Sequence, residues 1–124
     1  MSNFPTIEEV HKILDDISEE LPKDFFRELN EGIILLPEYK LHPESREEKR
    51  LYIMGEYSRS ITGRRITIYY GSFKKIYYGV SIGALRGRLR DTLIHEFIHH
   101  LESLGGEKGL EIQDAKDLQN YRNR

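Results

Sequence analysis

His95, Glu96 and His99 stand in the order H-E-x-x-H, within the stretch Thr92-Leu93-Ile94-His95-Glu96-Phe97-Ile98-His99-His100. On a helix the two histidines are i and i+4, so both imidazoles leave one face a turn apart and can converge on a single cation. Glu96 follows His95 and is rotated by about 100° around the axis. It misses the cation itself but can reach a water molecule beside it. Zinc lowers the pKa of such a water to about 7, and a neighbouring carboxylate can take the proton as general base.

The surrounding residues predict the helix that this chemistry needs. Leu85, Leu89, Leu93, Phe97 and Leu101 recur at helical spacing, with Ile94, Ile98 and Leu104 beside them. The face carrying the histidines reads Arg88, Thr92, His95, His99, Glu102. Gly105-Gly106 is a stop signal. The bland competitor is a packed helix that happens to carry two histidines. The offset of Glu96 and the buried stripe around it argue against that.

A catalytic zinc site keeps three protein ligands and one open position. Glu102, Glu111 and Asp114 are the downstream candidates. Glu102 is i+7 from His95 and would have to lean back along the helix. Glu111 and Asp114 follow the Gly-Gly turn at i, i+3 spacing, where one can ligate and the other can orient a ligand histidine. Asp114 ranks first, Glu111 second and Glu102 third. Each is also simply a surface acid in the ordinary reading.

Composition narrows the function classes. At 124 residues the chain reads as one domain, residues 1–124, with a net charge of -2 and no cysteine. Disulfides and thiolate zinc sites are thereby excluded. The start of the chain lacks the pattern of a signal peptide, and no apolar run approaches the ~20 residues of a membrane span. Cytoplasmic residence without a membrane partner is the expectation. Between Tyr57 and Arg90 the charges are all basic, with tyrosines interleaved. Such a segment can grip nucleic acid. More often it is a solvated face that meets acidic segments of its own chain, so a nucleic acid partner is not expected.

The remaining segments must position the histidine helix. Thr6 caps a predicted amphipathic helix running to about Glu20, and Pro22 starts a short one through Phe25, Phe26 and Leu29. Three strands are predicted: Gly32 to Pro37, Leu51 to Tyr57 with Gly55 as a bulge, and Arg65 to Tyr70. A turn at Ile61-Thr62-Gly63 makes the last two antiparallel. Leu41 to Arg50 reads as loop, Lys74 to Gly79 as an ambiguous short helix, and Leu110 to Tyr121 as a final helix. The long helix should begin near Ser81, with Gly83 and Gly87 each costing it about 1 kcal/mol.

The chain resembles the small bacterial zincin-like metallopeptidases. The likeness runs from Leu21-Pro22-Lys23-Asp24-Phe25-Phe26, through Arg65-Ile66-Thr67-Ile68-Tyr69-Tyr70-Gly71, to the H-E-x-x-H segment. It implies a zincin-like α+β fold: a small twisted, mostly antiparallel sheet packed on the active-site helix, flanked by N-terminal helices and a C-terminal helix. It also implies His95 and His99 as Zn²⁺ ligands and Glu96 as general base. The family pattern is H-E-x-x-H-x-x-G-x-x-D, its aspartate being the third ligand. Here Glu102 replaces that glycine and Gly105 replaces that aspartate, so the acid must come from elsewhere.

The expected function is zinc-dependent hydrolysis of a peptide or protein substrate. Tyr69, Tyr70 and Arg88 are candidates to stabilise the oxyanion. The strand Arg65 to Tyr70 is either a core strand or an edge that pairs with the substrate. The competing function is a zincin scaffold that binds a partner without hydrolysing it.

Overall fold

The computed structural model of the chain describes residues 4–105. Thr6 does cap the first helix, α1 (Ile7–Glu20): its Oγ1 accepts from the Glu9 N–H while Glu9 accepts from the Thr6 N–H. This capping box satisfies two donors that the helix start would otherwise leave open. Val10, Leu14 and Ile17 form its buried stripe. A 3-10 turn, Lys23–Phe26, follows Pro22 and buries Phe25.

Five strands come next: β1 (Gly32–Leu36), β2 (Lys40–Leu41), β3 (Tyr52–Ile53), β4 (Gly55–Ser60) and β5 (Gly63–Tyr69). Two helices close the described part, α2 (Tyr70–Tyr77) and α3 (Ile82–Ser103). The main sheet has the order β1-β5-β4, and β2 pairs with β3 in a separate hairpin. β4 and β5 are antiparallel, as the turn at Ile61-Thr62 requires, with Gly55 opposite Ile68 and Tyr57 opposite Ile66. β1 and β5 are parallel, with Ile33 opposite Ile66. The sheet is therefore mixed, because the chain crosses over between β1 and β5 instead of turning straight back.

Three local expectations change. The predicted strand Leu51 to Tyr57 is split at Met54 between two sheets. Its Gly55 is not a bulge; a Cβ there would lie 2.9 Å from Thr92 Cγ2 on α3 and 3.2 Å from Ile68 Cδ1. Absence of a side chain lets strand and helix touch. Tyr70 and Gly71 do not end a strand but open α2. The β5 strand is central, so the edge beside α3 is β4.

Ser81 caps α3 by accepting from the Ala84 N–H. The helix runs unbroken through Gly83, which faces open space, and Gly87, which is buried. It ends at Leu104, and Gly105 takes a φ of 101°, the left-handed conformation that glycine adopts at little cost. Leu85, Leu89, Leu93, Ile94, Phe97 and Leu101 on α3 pack with Ile66 and Ile68 of β5 and with the apolar stripe of α1. Phe97 is gripped by Phe25 and Phe26, with ring centroids 5.9 and 4.9 Å away. Arg86 and Arg90 both reach Glu20, each at 2.6 Å, and tie α3 to the end of α1. Among the described residues no helix is long and apolar enough to cross a membrane.

Candidate active site

Burying Phe97 and Leu101 on one side of α3 turns His95 and His99 outward on the other. Their Nε2 atoms lie 3.1 Å apart, and the rings stand at 89° to each other. Two nitrogens held at about 2.05 Å from a tetrahedral zinc ion would be separated by about 3.3 Å. The pair thus stands near the spacing that a shared cation requires. Burial first, and then the neighbouring His99, hold the pKa of His95 below its ordinary value, so its ring is kept neutral and able to ligate. Glu102 Oε1 lies 3.8 Å from His99 Nδ1, the nitrogen not shared with His95. That is beyond hydrogen-bond distance, and both side chains are half exposed, so Glu102 neither fixes the His99 ring nor joins the pair.

Glu96 is 6% exposed. No hydrogen bond to its carboxyl group occurs among the described residues. Burial pushes its pKa up to about 7, with the Glu56 carboxylate adding to the effect. That is the range in which a carboxyl group exchanges protons at neutral pH. Glu56 is the opposite case. Burial works to raise its pKa, but Lys40 Nζ at 2.8 Å and the donating Tyr69 hydroxyl outweigh this and hold it low.

A groove runs between α3 and the open edge of β4, in two adjoining parts. A cavity of about 350 Å³ is lined by Ile53, Met54, Asp91 and Thr92, and one of about 450 Å³ by Glu56, Tyr57, His99 and Ser103. Gly55, His95 and Glu96 line both, so these three residues sit at the junction.

Behind the histidine pair lies a buried polar network. His100 is fully buried. Its Nε2 is 2.7 Å from the Arg27 carbonyl, which can only accept, so Nε2 carries the proton. Nδ1 then accepts from the Tyr57 hydroxyl at 2.9 Å. Ser103 Oγ completes the network, 2.8 Å from the Tyr57 oxygen and accepting from Arg64 at 2.9 Å. These bonds join α3, β4, β5 and the segment after the 3-10 turn beside the site.

Of the residues singled out in the sequence, His95, Glu96, His99 and Thr92 meet at the groove. Arg88 does not: its guanidinium lies over the Tyr77 ring at 5.9 Å. Tyr70 donates to the Pro5 carbonyl and Tyr69 to Glu56, so neither hydroxyl is free for an oxyanion. Asp114 and Glu111 lie outside the described residues. Among the described residues no group of three histidine, cysteine, aspartate or glutamate side chains is placed to hold a metal. Sequence reasoning missed Glu56, Tyr57, Asp91 and Ser103. Asp91 precedes His95 by one helical turn and was legible from that spacing. The other three come to the groove only through tertiary packing.

Comparison with solved structures finds a conserved hypothetical protein from Thermo thermophilus that this chain resembles at 33% identity and a TM-score of 0.64. The match covers 80% of this chain and 96% of that one. No family model matches the chain, and no curated protein does.

Proposed function

The chain belongs to the family of the conserved hypothetical protein from Thermo thermophilus, and from the geometry of its own site we propose that it is a zinc-dependent peptide hydrolase on a zincin-like fold. One observation carries this reading. The His95 and His99 nitrogens converge to 3.1 Å beside a groove, and the buried Glu96 lines both of its parts together with His95. Neutral imidazoles are suitable zinc donors, and the spacing fits the ion. Zinc held there would supply Lewis acidity to a substrate carbonyl and to a water molecule.

The chain's own residues do the rest. Glu96 takes the proton of the attacking water and later delivers it to the leaving amine. Its raised proton affinity suits both halves of that cycle. Phe25 and Phe26 hold Phe97, and hence the helical turn between the two histidines. The open edge of β4 offers backbone groups with which an extended peptide can pair across the groove. The third ligand in this reading is Asp114, with Glu111 next.

The observation that no third ligand stands among the described residues favours a second reading, a scaffold that binds a partner without hydrolysis. Zinc separates the two. The hydrolase reading expects one bound equivalent and a stabilisation of about 2.7 kcal/mol when free zinc is 100 times its Kd. It also expects Glu96→Gln to lower peptide hydrolysis by about 10²–10⁴-fold with zinc content unchanged. A protein that takes up no zinc and gains no thermal stability from it is not this hydrolase.

A further inference from the structure

We propose that Arg59 and Arg64 form the receptor for a carboxylate of the peptide substrate, about four residues from the bond that is cut. The inference rests on the peptide hydrolase reading above and adds to it the chemical class of group recognised.

The sheet register carries the argument. Arg59 of β4 stands directly opposite Arg64 of β5. Residues paired this way share a face, with Cβ atoms about 5 Å apart, and two like charges there repel. Among the described residues no acid relieves the repulsion. Arg64 donates to the uncharged Ser103 hydroxyl, and Arg59 has no hydrogen-bond or ion-pair partner. Glu28 lines the same cavity without pairing with either arginine, and Glu31 accepts from the Thr62 hydroxyl. Arg86 and Arg90 on α3 are the contrast, since both close on Glu20. A carboxylate brought to Arg59 offsets the like charges, and the guanidinium fork matches its two oxygens. Arg59 is exposed, so a ligand reaches it without any rearrangement of the fold.

Placement agrees with charge. A cavity of about 600 Å³ holds both arginines, with Ser60 and Thr62 beside them. It continues the candidate groove along one strand. Gly55 stands at the junction with His95 and Glu96, Glu56 and Tyr57 line the part beyond, and Arg59 and Ser60 line the cavity. Ser103 joins the two, because it lines the groove and holds Arg64. A peptide paired with the open edge of β4 advances about 3.3 Å per residue. With its scissile bond beside Gly55, it brings a residue about 13 Å further along to face Arg59. That residue projects on the Arg59 side of the sheet, as directly paired residues do. The carboxylate is that of an aspartate or glutamate side chain, or of the peptide's own end.

The test uses the full chain carrying Glu96→Gln, with and without zinc, so that peptides bind without being cut. Labelled peptides of about eight residues, long enough to span groove and cavity, carry glutamate, glutamine or lysine at each position in turn. One set ends in an amide and a second in a free carboxylate. Their Kd values are read by fluorescence anisotropy. At one position, to one side of the groove centre, glutamate should bind about three- to fivefold tighter than glutamine, and the difference should shrink as salt rises. A gain in the amide-ended set assigns the receptor to a side chain, and a gain confined to free ends assigns it to the chain terminus. Arg59→Gln should erase the preference, and Arg59→Glu should turn it toward lysine. Both variants should keep the parent's zinc uptake. Arg59→Gln should unfold at the parent's temperature or above it, because it removes the repulsion.

Equal affinity for carboxylate and amide at every position, or an acid preference that survives in both Arg59 variants, overturns the receptor. A clear loss of thermal stability in Arg59→Gln overturns it too, by making Arg59 a partner of the fold instead of a ligand. A wild-type chain that binds zinc and cuts peptides without favouring a carboxylate loses this inference alone. One that binds no zinc and cuts nothing, yet favours the carboxylate through Arg59, loses the hydrolase reading and keeps the receptor.

Discussion

Glu96 gives the site a measurable signature without any substrate. Its folded-state pKa is raised from 4.5 to about 7, so the native chain holds a proton there that the unfolded chain releases. Stability from this group is fully present below pH 4.5 and is lost as pH rises through 7. Glu96→Gln removes the ionisable group and keeps its shape. In the metal-free protein the variant should match wild type near pH 4 and exceed it near pH 8, by at most about 3 kcal/mol. Urea denaturation at the two pH values checks this, and an unchanged difference between them would mean that Glu96 titrates as an ordinary exposed acid. Tyr57 supports a second experiment at this scale. Its hydroxyl is the donor to the fully buried His100. Tyr57→Phe leaves that imidazole nitrogen unpaired and should cost about 1–3 kcal/mol in thermal unfolding.

Elements matter here through one close approach. The β4 strand touches α3 where Gly55 meets Thr92, and the groove opens beside that contact. A methyl group at position 55 would press on Thr92 Cγ2 at 2.9 Å and on the Thr67 carbonyl at 3.3 Å. Gly55→Ala should therefore push the strand off the helix and destabilise the fold by about 1–3 kcal/mol. Calorimetry reads the loss. Because Gly55 borders both halves of the groove, peptide affinity should fall in the same variant. Full stability in Gly55→Ala would show that the strand adjusts freely. The strand expected from Leu51 to Tyr57 breaks at Met54, the residue just before that contact. Its first part stays with β2, while its second is drawn onto the main sheet against α3.

For the molecule as a whole, the two histidines of α3 would not by themselves close the proposed zinc site, and the described residues offer no third donor beside them. The proposal assigns that ligand to Asp114. Asp114→Ala in the full chain should weaken zinc binding by at least about tenfold, and Glu111→Ala by less, since its expected part is to orient a histidine. Equilibrium dialysis against a zinc buffer measures both. Equal, undiminished affinity in the two variants would move the third ligand elsewhere. The basic middle of the chain also finds its meaning at this scale. Arg86 and Arg90 close on Glu20, and Arg64 donates to Ser103. Much of that positive charge holds elements of the same molecule together.

Local signals settled a good deal before any folding was considered. Thr6 and Ser81 are helix caps because their hydroxyls satisfy N–H groups three residues on. The four-residue spacing of Leu85 through Leu101 alone orients His95 and His99 outward, because helical periodicity needs no distant partner. The mixed sheet was not legible, nor was the role of β4 as the open edge. Strand order depends on which segments find each other across the chain, and the alternation within a strand is the same at an edge as at the centre. Tertiary structure alone brought Glu56, Tyr57 and Ser103 to the histidine pair and left Asp91 with an unpartnered oxygen. Those features come from packing between segments far apart in the sequence, where no spacing rule reaches.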